Sequence, residues 1–231
     1  MEPFDADEYS DWLGEHKGEY ETVLWTGRDE DGYSCGDYAR EMCEAHNESI
    51  KDESGNYIEG EKPWMTNEML LEEATKEKNM EMPPDYNPDA SDEEQKACQD
   101  AWDSASKATV DNADGDVKVL VGANNRGDES TYSRVEKDAL EGNTDVKAVD
   151  EINVNTNTPK KEDGTIDLNN VDGNDITHYE RGADGKLGLD SGAKIDGDVE
   201  QSATSGGATG AGETEGTGED STNNNGQGIG M

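Results

Sequence analysis

The sequence predicts an α+β protein: a helical N-terminal half, a small α/β unit followed by β-hairpins, and a disordered C-terminal tail. Three observations lead there. Before residue 115, apolar residues recur at helical spacing behind capping sequences. After it, strand-like and helix-like runs alternate, and Asp-Gly pairs recur. The last segment has no Lys or Arg and almost nothing to bury. The corresponding regions are 1–115, 116–200 and 201–231.

The elements follow in order. The opening stretch carries Trp12, Leu13, Tyr20, Val23, Leu24 and Trp25 and reads as helical, interrupted at Gly14 and Gly18. Ser34 and Asp37 match a capping box, and Cys35, Tyr38, Ala39, Met42, Cys43 and His46 then fall on one helical face. A helix over 66–78 has Met69, Leu70 and Ala74 as its apolar side. Pro83-Pro84 and Asn87-Pro88 mark a linker, and Ser91 with Glu94 caps the next helix. That helix has the stripe Ala97, Cys98, Ala101, Trp102, Ala105 and Ala108. Residues 117–121 form the best strand pattern; 130–140 reads as a helix with Tyr132, Val135 and Ala139 on one face; 146–154 reads as a second strand. Asp-Gly pairs at 163, 172, 184 and 196, with strands over 165–168, 176–180 and 186–189, signal successive hairpins.

Composition bounds the function. Leu, Ile, Val and Phe number 9, 7, 11 and 1, about 12% of 231 residues. Ordering each residue costs roughly 1–2 kcal/mol of conformational entropy, offset mainly by apolar burial. So few large aliphatics predict that part of the chain stays disordered, that a partner supplies surface, or that salt supports the fold. The net charge of −38 favours a salt-adapted, halophilic character, although Lys (14) outnumbers Arg (5). It also excludes phosphate-rich partners: Lys160-Lys161 is the longest cationic run, so neither nucleic acid nor an anionic membrane surface is expected. No stretch approaches the roughly 18 apolar residues of a membrane span. The N-terminus lacks signal-peptide features, so an extracellular or virion location is expected by a route other than a classical signal peptide. Cys35, Cys43 and Cys98 are odd in number and lack CxxC spacing, which indicates neither a disulfide framework nor zinc. No cofactor is expected. The leading functional expectation is an acidic structural or protein-interaction component of a larger extracellular or virion-like assembly.

Several motifs bear on chemistry. Gly122 and Gly127 have the spacing of half a phosphate loop, but Asp128 and Glu129 stand where phosphate needs a cation. Arg126-Gly127-Asp128 is an adhesion tripeptide, and Asn47-Glu48-Ser49 is a glycosylation sequon inside a predicted helix; both read as chance occurrences. Calcium is the one metal the Asp-Gly turns suggest. Yet aligning Gly173 puts Leu168 and Tyr179 at the first and twelfth loop positions, and aligning Gly185 puts Ser191 at the twelfth.

The remaining constellation is Cys35, His178 and Asp190. Cys35 opens a helix, where the dipole favours a thiolate, and His178 and Asp190 flank the Asp184-Gly185 turn. The stretch Ser34-Cys35-Gly36-Asp37-Tyr38-Ala39 resembles the nucleophile helix of papain-like and transglutaminase-like proteins, although Gly36 replaces the aromatic that papain-like enzymes place there. The resemblance implies a secreted thiol hydrolase, acyltransferase or effector with Cys35 as nucleophile, His178 as base and Asp190 as its orienting partner.

Overall fold

The computed structural model describes residues 1–124, 130–162, 164, 166–167 and 170–189. All of them fall in one compact unit, Met1–Ile195. The architecture is α+β, with helices on both faces of a five-stranded mixed sheet. In chain order the elements are α1 (Ala6–Glu15), β1 (Glu21–Thr26), α2 (Cys35–Ser49), β2 (Trp64–Thr66) and α3 (Asn67–Lys78). There follow α4 (Asp92–Asp111), β3 (Gly115–Gly122), a π-turn (Tyr132–Glu136), α5 (Lys137–Gly142), β4 (Val146–Val154) and β5 (Ile176–Glu180).

The sheet order is β2-β1-β3-β4-β5, parallel except for β5. Strands from both sides of residue 115 therefore share one sheet. The reading of 20–25 as helix is corrected: after α1 the chain turns at Gly18 (φ +84°) and runs as β1, an inner strand. Thr22, Val23, Leu24 and Trp25 are β-branched, aliphatic or aromatic, and such residues pack well on a pleat buried on both faces. β2 is three residues long, too short for periodicity to reveal.

The helices start where their caps dictate. Ser34 accepts the Gly36 N–H at 3.1 Å, although Asp37 does not complete the box. Thr66 caps α3 through the Met69 N–H, and Ser91 with Glu94 forms a reciprocal capping box on α4. α2 covers one face of the sheet, packing Cys35, Ala39 and Met42 against Val23, Leu120 and Ile152. α4 and α5 cover the other, with Val110 and Leu140 against Leu24, Val117 and Val149. α1 and α3 add a third cluster beside the sheet, around Tyr9, Leu13, Leu70 and Leu71. Tyrosine, alanine, methionine and cysteine make up much of this core, which offsets the scarcity of large aliphatics.

Of the Asp-Gly pairs, the one at 172 caps a short 3-10 turn before β5 and the one at 184 lies in a tight turn, while Asp163 is outside the described residues; among the described residues the expected hairpins are mostly absent. Ile166 makes a single bridge to Lys160, and residues 182–186 close a turn without strands. Of the three short strands expected beyond β4, β5 alone is a ladder strand among the described residues, and it pairs with β4. Thr165, Leu168, the Asp196-Gly197 pair and the tail 201–231 lie outside the described residues.

Arg181, just after β5, ties the end of this region down. Its guanidinium donates to the carbonyls of Leu140, Glu141, Asn143, Val146 and Gly185 at 2.5–3.0 Å. Leu187 and Leu189 are buried beside it, and the Glu141 carboxylate accepts the Leu187 and Gly188 N–H groups.

Candidate functional site

In a parallel sheet, ligands bind beyond the carboxyl ends of the strands, where neighbouring connections leave to opposite faces. Here that place lies between β1, whose chain continues into α2, and β3, whose chain continues into α5. Arg28 and Asn124 exchange backbone hydrogen bonds across it at 2.9 and 3.3 Å. Gly122 fits because a Cβ would lie 2.4 Å from the Arg28 carbonyl oxygen. The glycine of the half phosphate loop thus serves close backbone packing; Gly127, Asp128 and Glu129, with the adhesion tripeptide, lie outside the described residues.

Three side chains near these strand ends are linked in turn, Trp25 to Glu68 by hydrogen bonds and Glu68 to Glu136 by charge. Trp25, near the end of β1, donates its indole N–H to both oxygens of Glu68 at 3.1 Å. Glu68 stands in the first turn of α3, where the helix dipole favours a carboxylate. The Trp25 ring lies so close to Gly36 of α2 that a Cβ there would sit 2.8 Å from it. Gly36→Ala should therefore displace the indole while leaving α2 intact, since alanine favours helix by about 1 kcal/mol. We expect the Trp25 indole N–H resonance to shift with little change in melting temperature; an unmoved resonance would refute the close packing.

The third side chain is Glu136, the last residue of the π-turn. It is 5% exposed, and its Oε2 has no hydrogen-bond partner. Burial pushes its carboxyl up to about 8; the Ser106 hydroxyl opposes this, while the charges of Glu68 and Asp103 add to it. Ser106 lies on α4 one turn after the half-buried Trp102, and it also accepts from the Asn67 amide at 3.3 Å. Asn67 in turn accepts from Thr109 and Tyr9, so a buried polar chain backs the carboxyl from α1, α3 and α4. π-Turns recur at functional sites, and a buried, poorly paired carboxyl is a candidate for proton transfer.

The sequence-predicted constellation looks different in space. Cys35 does open α2, but its thiol is buried, and burial together with the Asp29 charge pushes it up to about 12. The expected lowering is corrected: desolvation outweighs the helix dipole. His178 is exposed on β5 and pairs through Nδ1 with Asp150 at 2.6 Å; no hydrogen bond joins it to Cys35. Asp190 lies outside the described residues. Cys43 is likewise buried and raised to about 12, and Cys98 is buried against the Pro84 carbonyl. Iodoacetamide at pH 6.5 should label none of the three thiols until guanidinium unfolds the chain. Rapid, selective labelling of Cys35 in the native protein would restore the thiol reading.

Glu68 and Glu136 were missed because an isolated glutamate in a helical pattern reads as a solvated face. The available signal was the order strand, loop, helix around Gly122, which places residues 130–140 over the carboxyl end of a parallel strand. Elsewhere, a cavity of about 290 Å³ lies around His46, Trp64, Asp114 and Asp116, near the opposite, amino-terminal ends of β1 and β3. No group of metal-binding side chains occurs among the described residues, and no helix among them is long and apolar enough to cross a membrane. Neither the protein-family models nor the curated proteins compared with this chain match it.

Proposed function

We propose that the chain is an enzyme that cleaves a glycosidic bond by carboxyl chemistry at Glu136. The observation that carries this reading is the buried Glu136 carboxyl with an unpartnered oxygen, within reach of the charge of Glu68, which Trp25 holds by its indole N–H. A carboxyl held near 8 keeps its proton at neutral pH and can donate it. Two acidic groups together suit a reacting centre that becomes positive in the transition state, as an oxocarbenium-like sugar carbon does. They would oppose acyl or phosphoryl transfer, whose transition states gather negative charge. In the proposed step the bond between the anomeric carbon and the leaving group breaks. Its electron pair goes to the leaving group, which takes the proton of Glu136. Glu68 stabilises the developing positive charge, water adds to the carbon, and the water's proton returns to Glu136. The exposed part of the Trp25 indole offers a surface for stacking a ring.

The test is leaving-group release from a panel of chromogenic aryl glycosides and N-ribosides between pH 5 and 9. Activity should fall at least about a hundredfold in Glu136→Gln, the usual scale for a lost proton donor. No release from any member of the panel, or undiminished activity in the variant, would sink the reading.

A second reading, a protein component of an assembly, is favoured by Tyr57 and Ile58, adjacent residues 46% and 47% exposed on the loop between α2 and β2. Sedimentation of the full chain should then show association that Tyr57→Ser with Ile58→Ser removes; a monomer at all concentrations would count against it.

A further inference from the structure

We propose that Glu151 of β4 is a positioning residue, a clamp that holds both ends of the π-turn and so keeps Glu136 aimed inward. The inference rests on the proposed role of Glu136, but its test does not need activity.

A π-turn takes in one more residue per hydrogen-bonded ring than an α-helical turn, with poorer geometry, so something outside it must hold it in place. Glu151 is positioned to do so. One of its oxygens accepts the hydroxyl of Tyr132, the first residue of the turn, and lies 3.7 Å from the ammonium of Lys137, the residue directly after it. Its other oxygen accepts the Tyr179 hydroxyl at 3.3 Å, which anchors the clamp to β5. The Lys137 ammonium also sits 5.1 Å from the centre of the Tyr132 ring, so the two ends of the turn touch each other over the same carboxylate. Glu136 lies between them in sequence, four residues after Tyr132 and one before Lys137. If the clamp opens, the turn can relax to α-helical winding. Each residue there advances about 100° around the axis, enough to swing a side chain from the interior to the surface.

The charges that raise the proton affinity of Glu136 are those of Glu68 and Asp103, on α3 and α4, with Ser106 acting against them. A change at Glu151 therefore reaches Glu136 through geometry, and the effect is readable as a change in its titration.

The experiment is a carbon-13 NMR titration of the Glu136 carboxyl in the full chain, with the assignment fixed by Glu136→Gln. Glu151→Leu and Tyr132→Phe should each lower the Glu136 midpoint by about one unit or more, toward the ordinary glutamate value of 4.5. Glu151→Gln, whose amide oxygen still accepts the Tyr132 hydroxyl, should stay closer to wild type. Tyr132→Phe keeps the Glu151 charge and serves if Glu151→Leu fails to fold. An unchanged midpoint in a folded Glu151→Leu or Tyr132→Phe protein would overturn the clamp. If the glycoside panel gives no turnover but the midpoints move as expected, the clamp stands and the reaction assignment falls.

Discussion

Glu136→Gln is expected to stabilise the folded chain at pH 8.5 by about 4 kcal/mol while leaving stability near pH 4.5 almost unchanged. In the folded state the Glu136 carboxyl holds its proton up to about pH 8; unfolded, it releases the proton near the ordinary value of 4.5. Between those values the unfolded chain binds fewer protons, so stability falls as pH rises. The contribution is complete below about pH 4.5 and lost above about pH 8. Glutamine has nearly the same shape and no proton to lose, so the variant escapes that fall. For a domain of this size, melting at pH 8.5 should rise by roughly 10 °C. Such a gain, paired with lost turnover, is the signature of a group kept for chemistry at the expense of stability. A variant less stable than wild type at pH 8.5 would mean that Glu136 is better partnered than the structure shows.

Salt should act on at least a comparable scale. The chain carries 57 acidic and 19 basic residues, and most ion pairs among the described residues are single exposed contacts such as Lys96–Asp100 and Lys107–Asp111. Exposed pairs of this kind are worth about 0–1 kcal/mol each, too little to balance the excess of carboxylates. Molar salt shortens the Debye length to about 3 Å and removes most of the mutual repulsion. Melting in 2 M KCl should exceed that in 0.05 M KCl by on the order of 10 °C or more. Equal melting temperatures would show that the acidic side chains stand far enough apart not to oppose folding.

The parts of the fold legible in sequence were those with local causes. α2, α3 and α4 begin at their capping residues because a cap is a local hydrogen bond. β3 and β4 were legible because Val and Ile recur densely over strand-length segments bounded by turn residues. β1 was misread because an inner strand buried on both faces loses the alternation that marks a strand. The candidate site was the least legible part. Glu136 became significant once the π-turn had rotated it inward, and Trp25 gained its partner across 43 residues of sequence. Cys35 shows the opposite error. The helix start was correctly placed, but the burial that decides a thiol's reactivity depends on the sheet packed beneath it.

Arg181 has a consequence for the order of events on the ribosome. The carbonyls of Leu140 and Glu141 that it caps belong to residues made 41 and 40 positions earlier. At about 5–20 residues per second, α5 waits roughly 2–8 seconds for the guanidinium that completes it. During that interval the Leu140 and Glu141 carbonyls lack this donor, and the helix has fewer than two turns to hold itself together. The segment carrying Glu136 is therefore set late in synthesis: a nascent chain stalled before residue 181 already holds the strands β1, β3 and β4 but lacks the residue that locks α5 onto them.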